Sequence, residues 1–226
     1  METRRRIPTG SQGLDAQLLG GIPLGELTLV YGEPGSGKTT LALCAAAQLL
    51  CLDHAARVVY LDSDAKFAPS RLIQIAGSDE HLKRLSYTRP TTFEEQAEAI
   101  DRLPQQLQHG DLAVVDSVTG LYRVETGDTQ KTFTENKELN RQLGALKEVA
   151  ASTHAAIILT GQVRSVLDSP FPAVEPVAQR LLSYWSDKVI KVENTATPGV
   201  KQATVEKPPE MRGATRFRIT QGGLED

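Results

Sequence analysis

The sequence predicts an α/β fold: a mainly parallel, twisted sheet flanked by helices, with antiparallel strands at its C-terminal edge. Three features of the pattern carry this prediction. Short apolar runs alternate with helical stretches over most of the chain, the order that builds a parallel sheet. The first long run leads straight into a glycine-rich turn and a helix. From Lys188 onward the pattern becomes strand upon strand, separated by Pro and Gly turns.

Each element follows in chain order. "ELTLVYG" (26–32) is a strand, and the Ala- and Leu-rich "TTLALCAAAQLLCL" (39–52) is a helix. "RVVYLDSD" (57–64) is the next strand, followed by "APSRLIQIAG" (68–77), a helix that Gly77 closes. "RLSYTRP" (84–90) is a short strand. The helical "TFEEQAEAIDRLPQQLQ" (92–108) contains Pro104, whose ring and missing N–H kink or split it. "GDLAVVDSV" (110–118) is a buried strand, "TENKELNRQLGALKEVAASTH" (134–154) a long amphipathic helix, and "AAIILTGQV" (155–163) a further strand. "KVIKVEN" (188–194), "KQATVEK" (201–207) and "ATRFRIT" (214–220) alternate as antiparallel strands. No repeat, low-complexity segment or linker divides the chain, so residues 1–226 read as a single domain, with 1–6 expected to be flexible.

Composition narrows the function classes. A chain of 226 residues with 40% hydrophobic content is large enough for a full core. A net charge of −3 excludes a global basic field, so any nucleic-acid contact must come from a local patch. No apolar run approaches the length of a membrane span, and "METRRRIPTGSQG" lacks the apolar stretch of a signal peptide, so a cytoplasmic location is expected. Cys44 and Cys51 fall on one predicted helix, roughly 10 Å apart along it, too far for a disulfide. Both read as buried or half-buried thiols. His54, His81, His109 and His154 show no metal-ligand spacing.

The chemistry concentrates at "GEPGSGKTT" (32–40). Gly32, Gly37, Lys38 and Thr39 satisfy G-x-x-x-x-G-K-[ST] without a gap. Such a loop turns successive N–H groups of Gly32, Glu33, Pro34, Gly35, Ser36, Gly37, Lys38, Thr39 and Thr40, proline excepted, toward phosphate oxygens. Lys38 is expected to reach the β- and γ-phosphates, and the Thr39 hydroxyl to ligate Mg²⁺. A second metal ligand, a carboxylate, is expected from "LAVVDS" (112–117), an apolar strand ending in Asp116. Alone, an Asp after such a strand is commonly a turn residue; beside a phosphate loop it reads as a metal partner. ATP and Mg²⁺ are the implied cofactors.

Longer stretches resemble a family. "PTGSQGLDAQLLGGIPLGELTLVYGEPGSGKTTLAL", "YLDSDAKFAPSRL", "VVDSVTGLYRVETGD", "TGQV" and "RGATRFRITQGGLED" appear in the order and spacing of the archaeal RecA-type recombinase core. The match runs from about Ile7 to Asp226 and is most similar to the family's short paralogues. Only about six residues precede the core, without a Phe-x-x-Ala polymerisation motif, so no N-terminal helical DNA-binding domain is expected. The resemblance implies a RecA-type P-loop fold and several roles. Gln162 would sense the γ-phosphate, Arg71 would stack on adenine, and Asp64 would occupy the position of the residue that orients the attacking water. Arg123 and Lys131 would lie in one DNA-facing loop and Arg164 at the start of another, meeting DNA phosphates. Lys207 and Arg212 are candidates for a contact across a subunit interface, although as bare sequence they read as a charged hairpin edge.

The chain departs from the family pattern at three points, one being "EKPPEM" (206–211) in place of a basic run. Gly161 stands where the family has Asn before its Gln-Val. After the second strand the family pattern is Asp-Thr-Glu-Gly, whereas this chain has Asp62-Ser63-Asp64-Ala65. Asp64 is one methylene shorter, and Ala65 replaces a residue suited to an unusual backbone angle. The expected function is therefore an ATP-binding accessory of DNA repair and recombination. It would bind single-stranded or branched DNA weakly, act on the RadA recombinase or a junction nuclease, and hydrolyse ATP slowly. The alternatives are a DNA-dependent ATPase recombinase and a RecA-fold signalling ATPase acting on protein partners.

Overall fold

The computed structural model describes residues 6–122, 129–165 and 174–226. In chain order it forms β1 (Arg6–Ile7), α1 (Gln12–Gln17), β2 (Ile22–Pro23), β3 (Leu27–Tyr31), α2 (Lys38–Leu52), β4 (Val58–Asp62), α3 (Pro69–Ala76) and β5 (Leu85–Thr88). There follow α4 (Phe93–Asp101), α5 (Leu103–Gln106), β6 (Leu112–Asp116), α6 (Thr129–Thr153), β7 (Ala156–Gly161), β8 (Val163–Ser165), β9 (Val174–Pro176) and α7 (Gln179–Trp185). The chain ends in β10 (Lys188–Asn194), β11 (Val200–Lys207), β12 (Gly213–Thr220) and β13 (Gly223–Glu225).

Nine strands make one sheet in the order β13-β12-β11-β10-β3-β7-β6-β4-β5. The pairs from β10 through β5 are all parallel. The pairs from β10 to β13 are antiparallel, so the C-terminal edge has the predicted form. β10 itself joins the two regimes, pairing parallel with β3 and antiparallel with β11.

The sheet divides the core in two because alternate residues of a strand face opposite sides. Val30, Val58, Tyr60, Val114 and Ile158 pack with α2 and Leu72 of α3 on one face. Leu29, Val59, Leu61, Val115 and Leu159 pack with Ile100 of α4 and Leu139, Leu143 and Leu146 of α6 on the other. All five residues of β3, β4 and β6 are buried, the pattern of strands covered on both faces.

Several local readings meet a physical outcome here. Gly77 ends α3 with φ +75, a left-handed cap. The helix around Pro104 splits into α4 and α5, with the proline in the first turn of α5, where its lack of an N–H costs nothing. The long helix begins at Thr129, five residues before the sequence pattern suggested. Arg6, within the segment expected to be flexible, pairs with Pro23 in the short β1–β2 ladder. Cys44 is buried, and burial pushes its thiol up to about 11, so it stays protonated and inert. Cys51 is exposed, contrary to the sequence reading, because it lies at the solvent-facing end of α2. Among the described residues no helix is long and apolar enough to cross a membrane.

Candidate nucleotide site

The glycine-rich loop leaves the C-terminal end of β3 and opens α2, at the carboxyl ends of the strands where ligands of parallel α/β folds bind. Gly37 is the N-cap of α2, in a left-handed conformation (φ 105, ψ 11) and without a side chain to satisfy the first N–H groups of the helix. A 15-residue helix thus presents uncapped donors and the positive end of its dipole to the loop. Gly37 has a second constraint: a Cβ there would stand 2.7 Å from Ile219 Cδ1, a side chain of β12 that roofs the loop. Lys201 of β11 adds to that roof by donating to the Gly35 carbonyl at 2.9 Å.

Lys38 folds back across the loop. Its Nζ donates to the carbonyls of Gly32 and Glu33, at 2.8 Å each. Burial pushes this ammonium below the ordinary lysine value, and the charge of Lys66 pushes it further, against the pull of Asp116, Asp64 and Glu33. An anion between loop and lysine would offset that penalty. The Ser36 hydroxyl is fully buried in the same loop, and its Oγ has no hydrogen-bond partner among the described residues. Uncapped helix donors, a desolvated cation and an orphaned buried hydroxyl together form a donor set that fits a polyphosphate.

The carboxylate expected beside it is in place. Thr39 Oγ1 donates to Asp116 Oδ2 at 2.8 Å, so the last residue of β6 meets the first turn of α2. Asp116 is only 2% exposed and takes two further hydroxyls, Tyr60 at 2.8 Å on Oδ2 and Thr160 on Oδ1. Burial first, and then the charge of Asp116, raise Tyr60 well above the ordinary phenol value, which keeps it a neutral donor. Thr39 and Asp116 are an oxygen pair suited to Mg²⁺, with Tyr60 and Thr160 orienting the carboxylate from behind. Replacing Tyr60 with Phe is expected to weaken Mg²⁺-dependent nucleotide binding about tenfold. The same change should lower stability by ~1 kcal/mol. Nucleotide titrations with and without the metal, beside thermal melts, separate the two effects.

Asp64 and Gln162 come together across β4 and β7. Gln162 Nε2 lies 3.1 and 3.3 Å from the two Asp64 oxygens, Ser117 Oγ donates to Asp64 Oδ1 at 3.1 Å, and Lys66 Nζ pairs with Oδ2 at 2.8 Å. The turn that aims this group begins with Asp62, whose oxygens accept the backbone N–H groups of Lys66 and Phe67 at 3.0 and 2.9 Å and the Tyr87 hydroxyl at 3.1 Å. Ala65 sits in this turn with φ +56, the left-handed region, as the substitution at that position suggested. Ala65→Gly is therefore expected to raise stability by ~0.5 kcal/mol, the relief of Cβ strain less the extra chain entropy of glycine. A melting midpoint raised by about 1–2 °C would match; a lowered one would contradict it.

The remaining candidates are more dispersed. Arg71 directs its guanidinium to the carbonyls of Thr220 and Gln221 at 2.6 and 2.8 Å, tying α3 to the β12–β13 turn. Lys207 Nζ donates to the Ser183 carbonyl at 2.8 Å and to that of Ser186, closing the C-terminal end of α7 within its own chain. Arg212 is exposed. Arg123 lies outside the described residues, and Lys131 and Arg164 are described as backbone only, in α6 and β8. At Gly161 a Cβ would come within 3.3 Å of Leu29 Cδ1, so the buried strand leaves an amide side chain little room there. Sequence reasoning missed Tyr60, Thr160, Lys66 and Lys201. A tyrosine two residues before a strand-end Asp, or a Thr in a buried strand, was the only signal available.

The chain is similar over nearly its whole length to known proteins. The Rad51 family model matches residues 3–226. A "DNA repair and recombination protein RadB" of Methanococcus maripaludis (strain C5) is 36% identical over 220 residues, covering 94% of this chain and 96% of its own. The protein of the same description from Thermococcus onnurineus is 36% identical over 229 residues, covering 97% of both. A solved structure, "Crystal structure of the RadB recombinase", superposes with a TM-score of 0.80 at 34% identity, over 97% of this chain and 99% of that one.

Proposed function

This chain belongs to the Rad51 family, among its RadB-like DNA repair and recombination proteins, and from that premise we propose that it binds ATP as a conformational ligand and hydrolyses it slowly. Lys38 and the N–H groups of residues 32–40 would hold the phosphates, Thr39 and Asp116 the Mg²⁺, and Arg71 the base. When bound, Mg²⁺·ATP would supply the phosphate charge that the loop and its half-buried lysine are shaped to meet.

The single observation that carries slow turnover is the state of Asp64. Its carboxylate is only 9% exposed and is already engaged by Ser117, Gln162 and Lys66. General-base catalysis contributes roughly 10²–10⁴-fold, and about 1 Å of misplacement can cost on the order of 10²-fold. A shorter carboxylate whose acceptor sites are filled loses much of that contribution.

The partners would be DNA, met through Arg123, Lys131 and Arg164, and a RadA recombinase or a junction nuclease. With a net charge of −3 and so few cations, DNA binding should be weak and should fall steeply with salt. The second reading, a DNA-dependent ATPase recombinase, is favoured by the close Thr39–Asp116 pair.

ATP turnover at low salt, with and without single-stranded DNA, separates the two readings. The accessory reading expects slow turnover that DNA leaves unchanged, with Asp64→Glu raising the rate. Strong stimulation of the native protein by DNA would overturn it in favour of the recombinase.

A further inference from the structure

Resting on the slow-turnover reading, we propose that Lys66 is a positioning residue that locks the Asp64 carboxylate and so withholds it from the attacking water. No motif assigned this lysine a role; it follows Ala65 by one position, and the turn itself aims it. The left-handed backbone of Ala65, with Asp62 holding the N–H groups of Lys66 and Phe67, reverses the chain so that Lys66 curls back onto the residue two before it.

A carboxylate offers about four acceptor positions. Here Oδ1 receives Ser117 at 3.1 Å and Gln162 at 3.3 Å, and Oδ2 receives Lys66 at 2.8 Å and Gln162 at 3.1 Å. Gly120 closes another side, since a Cβ there would stand 2.2 Å from Asp64 Oδ1. A water that gives up its proton must approach within about 2.6–3.2 Å of the base, so one donor has to leave.

Ser117 is 1% exposed and adjoins Asp116, and Gln162 is half-buried with its backbone N–H anchored to the Thr119 hydroxyl at 3.2 Å. Lys66 is different: its side chain is 57% exposed on a flexible four-carbon stem. It is therefore the donor that can exchange with water, and the one that governs access to Asp64.

The test compares native protein with Lys66→Met, which keeps the stem and removes the charge. Turnover is expected to rise about tenfold. Affinities for ATP and ADP, read with a fluorescent nucleotide, should each stay within about twofold of native. Lys66→Arg, which restores the pair, should return the low rate, and adding Asp64→Asn to Lys66→Met should abolish the gain.

The proposal fails if Lys66→Met leaves turnover unchanged. It also fails if the variant loses ATP affinity while keeping ADP affinity, which would make Lys66 a phosphate ligand. A gain that survives Asp64→Asn would sink it equally, because the extra rate would not pass through that carboxylate. The slow-turnover reading fails separately, on rapid DNA-stimulated turnover by the native protein.

Discussion

ATP affinity is expected to drop about a hundredfold in Lys38→Ala, while the fold stays intact. A hydrogen bond from a charged donor is worth about 1.5–3 kcal/mol, and a hundredfold loss corresponds to ~2.7 kcal/mol. The fold should survive because Lys38 is only half-buried and one of its two acceptors, the Glu33 carbonyl, belongs to an exposed residue. Fluorescent-nucleotide titration checks the affinity, and circular dichroism checks the fold.

The same lysine gives the pH dependence a definite sign. Burial and Lys66 hold its pKa below the ordinary value, so the free protein loses that proton earlier than an exposed lysine would. Phosphate favours the charged form, so binding should take up a proton on the alkaline side. Affinity should therefore fall as pH rises through the depressed value, and that alkaline loss should vanish in Lys38→Ala. An affinity within about threefold of native in the variant would mean that the lysine serves the loop rather than the nucleotide.

The second large effect is on stability. Gly32→Ala is expected to destabilise the protein by ~3 kcal/mol, lowering the melting midpoint by roughly 6–12 °C without nucleotide. A Cβ at Gly32 would stand 2.0 Å from the Val192 carbonyl oxygen and 2.9 Å from Ser36 Oγ. The first of these is backbone of β10, the strand hydrogen-bonded to β3, with Tyr31 opposite Lys191 just before the clash. Relief requires parting a central ladder, which no side-chain rotation can substitute for. Nucleotide binding should fall with it, because the loop would leave the strand at a different angle. A melting midpoint unchanged within about 2 °C would show that the two strands separate there at little cost.

Much of the site was legible from sequence where its chemistry is local. The phosphate loop is contiguous, and its spacing is set by the reach of one turn between one strand and one helix. Asp116 was readable because a run of apolar residues ends on it, and Ala65 because the family the sequence resembles has Gly at that position. The surroundings of those residues were not readable. Tyr60 and Thr160 reach Asp116 from β4 and β7 because those strands flank β6, and strand order carries no signature in a run of Val, Leu and Ile. Cys51 was misread because helical spacing gives a face of α2 but does not say where the sheet beneath it ends.

By itself, then, the sequence determined the elements, the parallel-to-antiparallel change of the sheet and the position of the phosphate cradle. Each of these rests on periodicity, glycine geometry or charge within a few consecutive residues. The tertiary structure alone decided the hydroxyl cage around Asp116, the roof of Lys201 and Ile219, and the approach of Ser117 and Gln162 to Asp64. Lys201 lies 166 positions from the Gly35 carbonyl it meets, a separation closed only when the strands choose their neighbours.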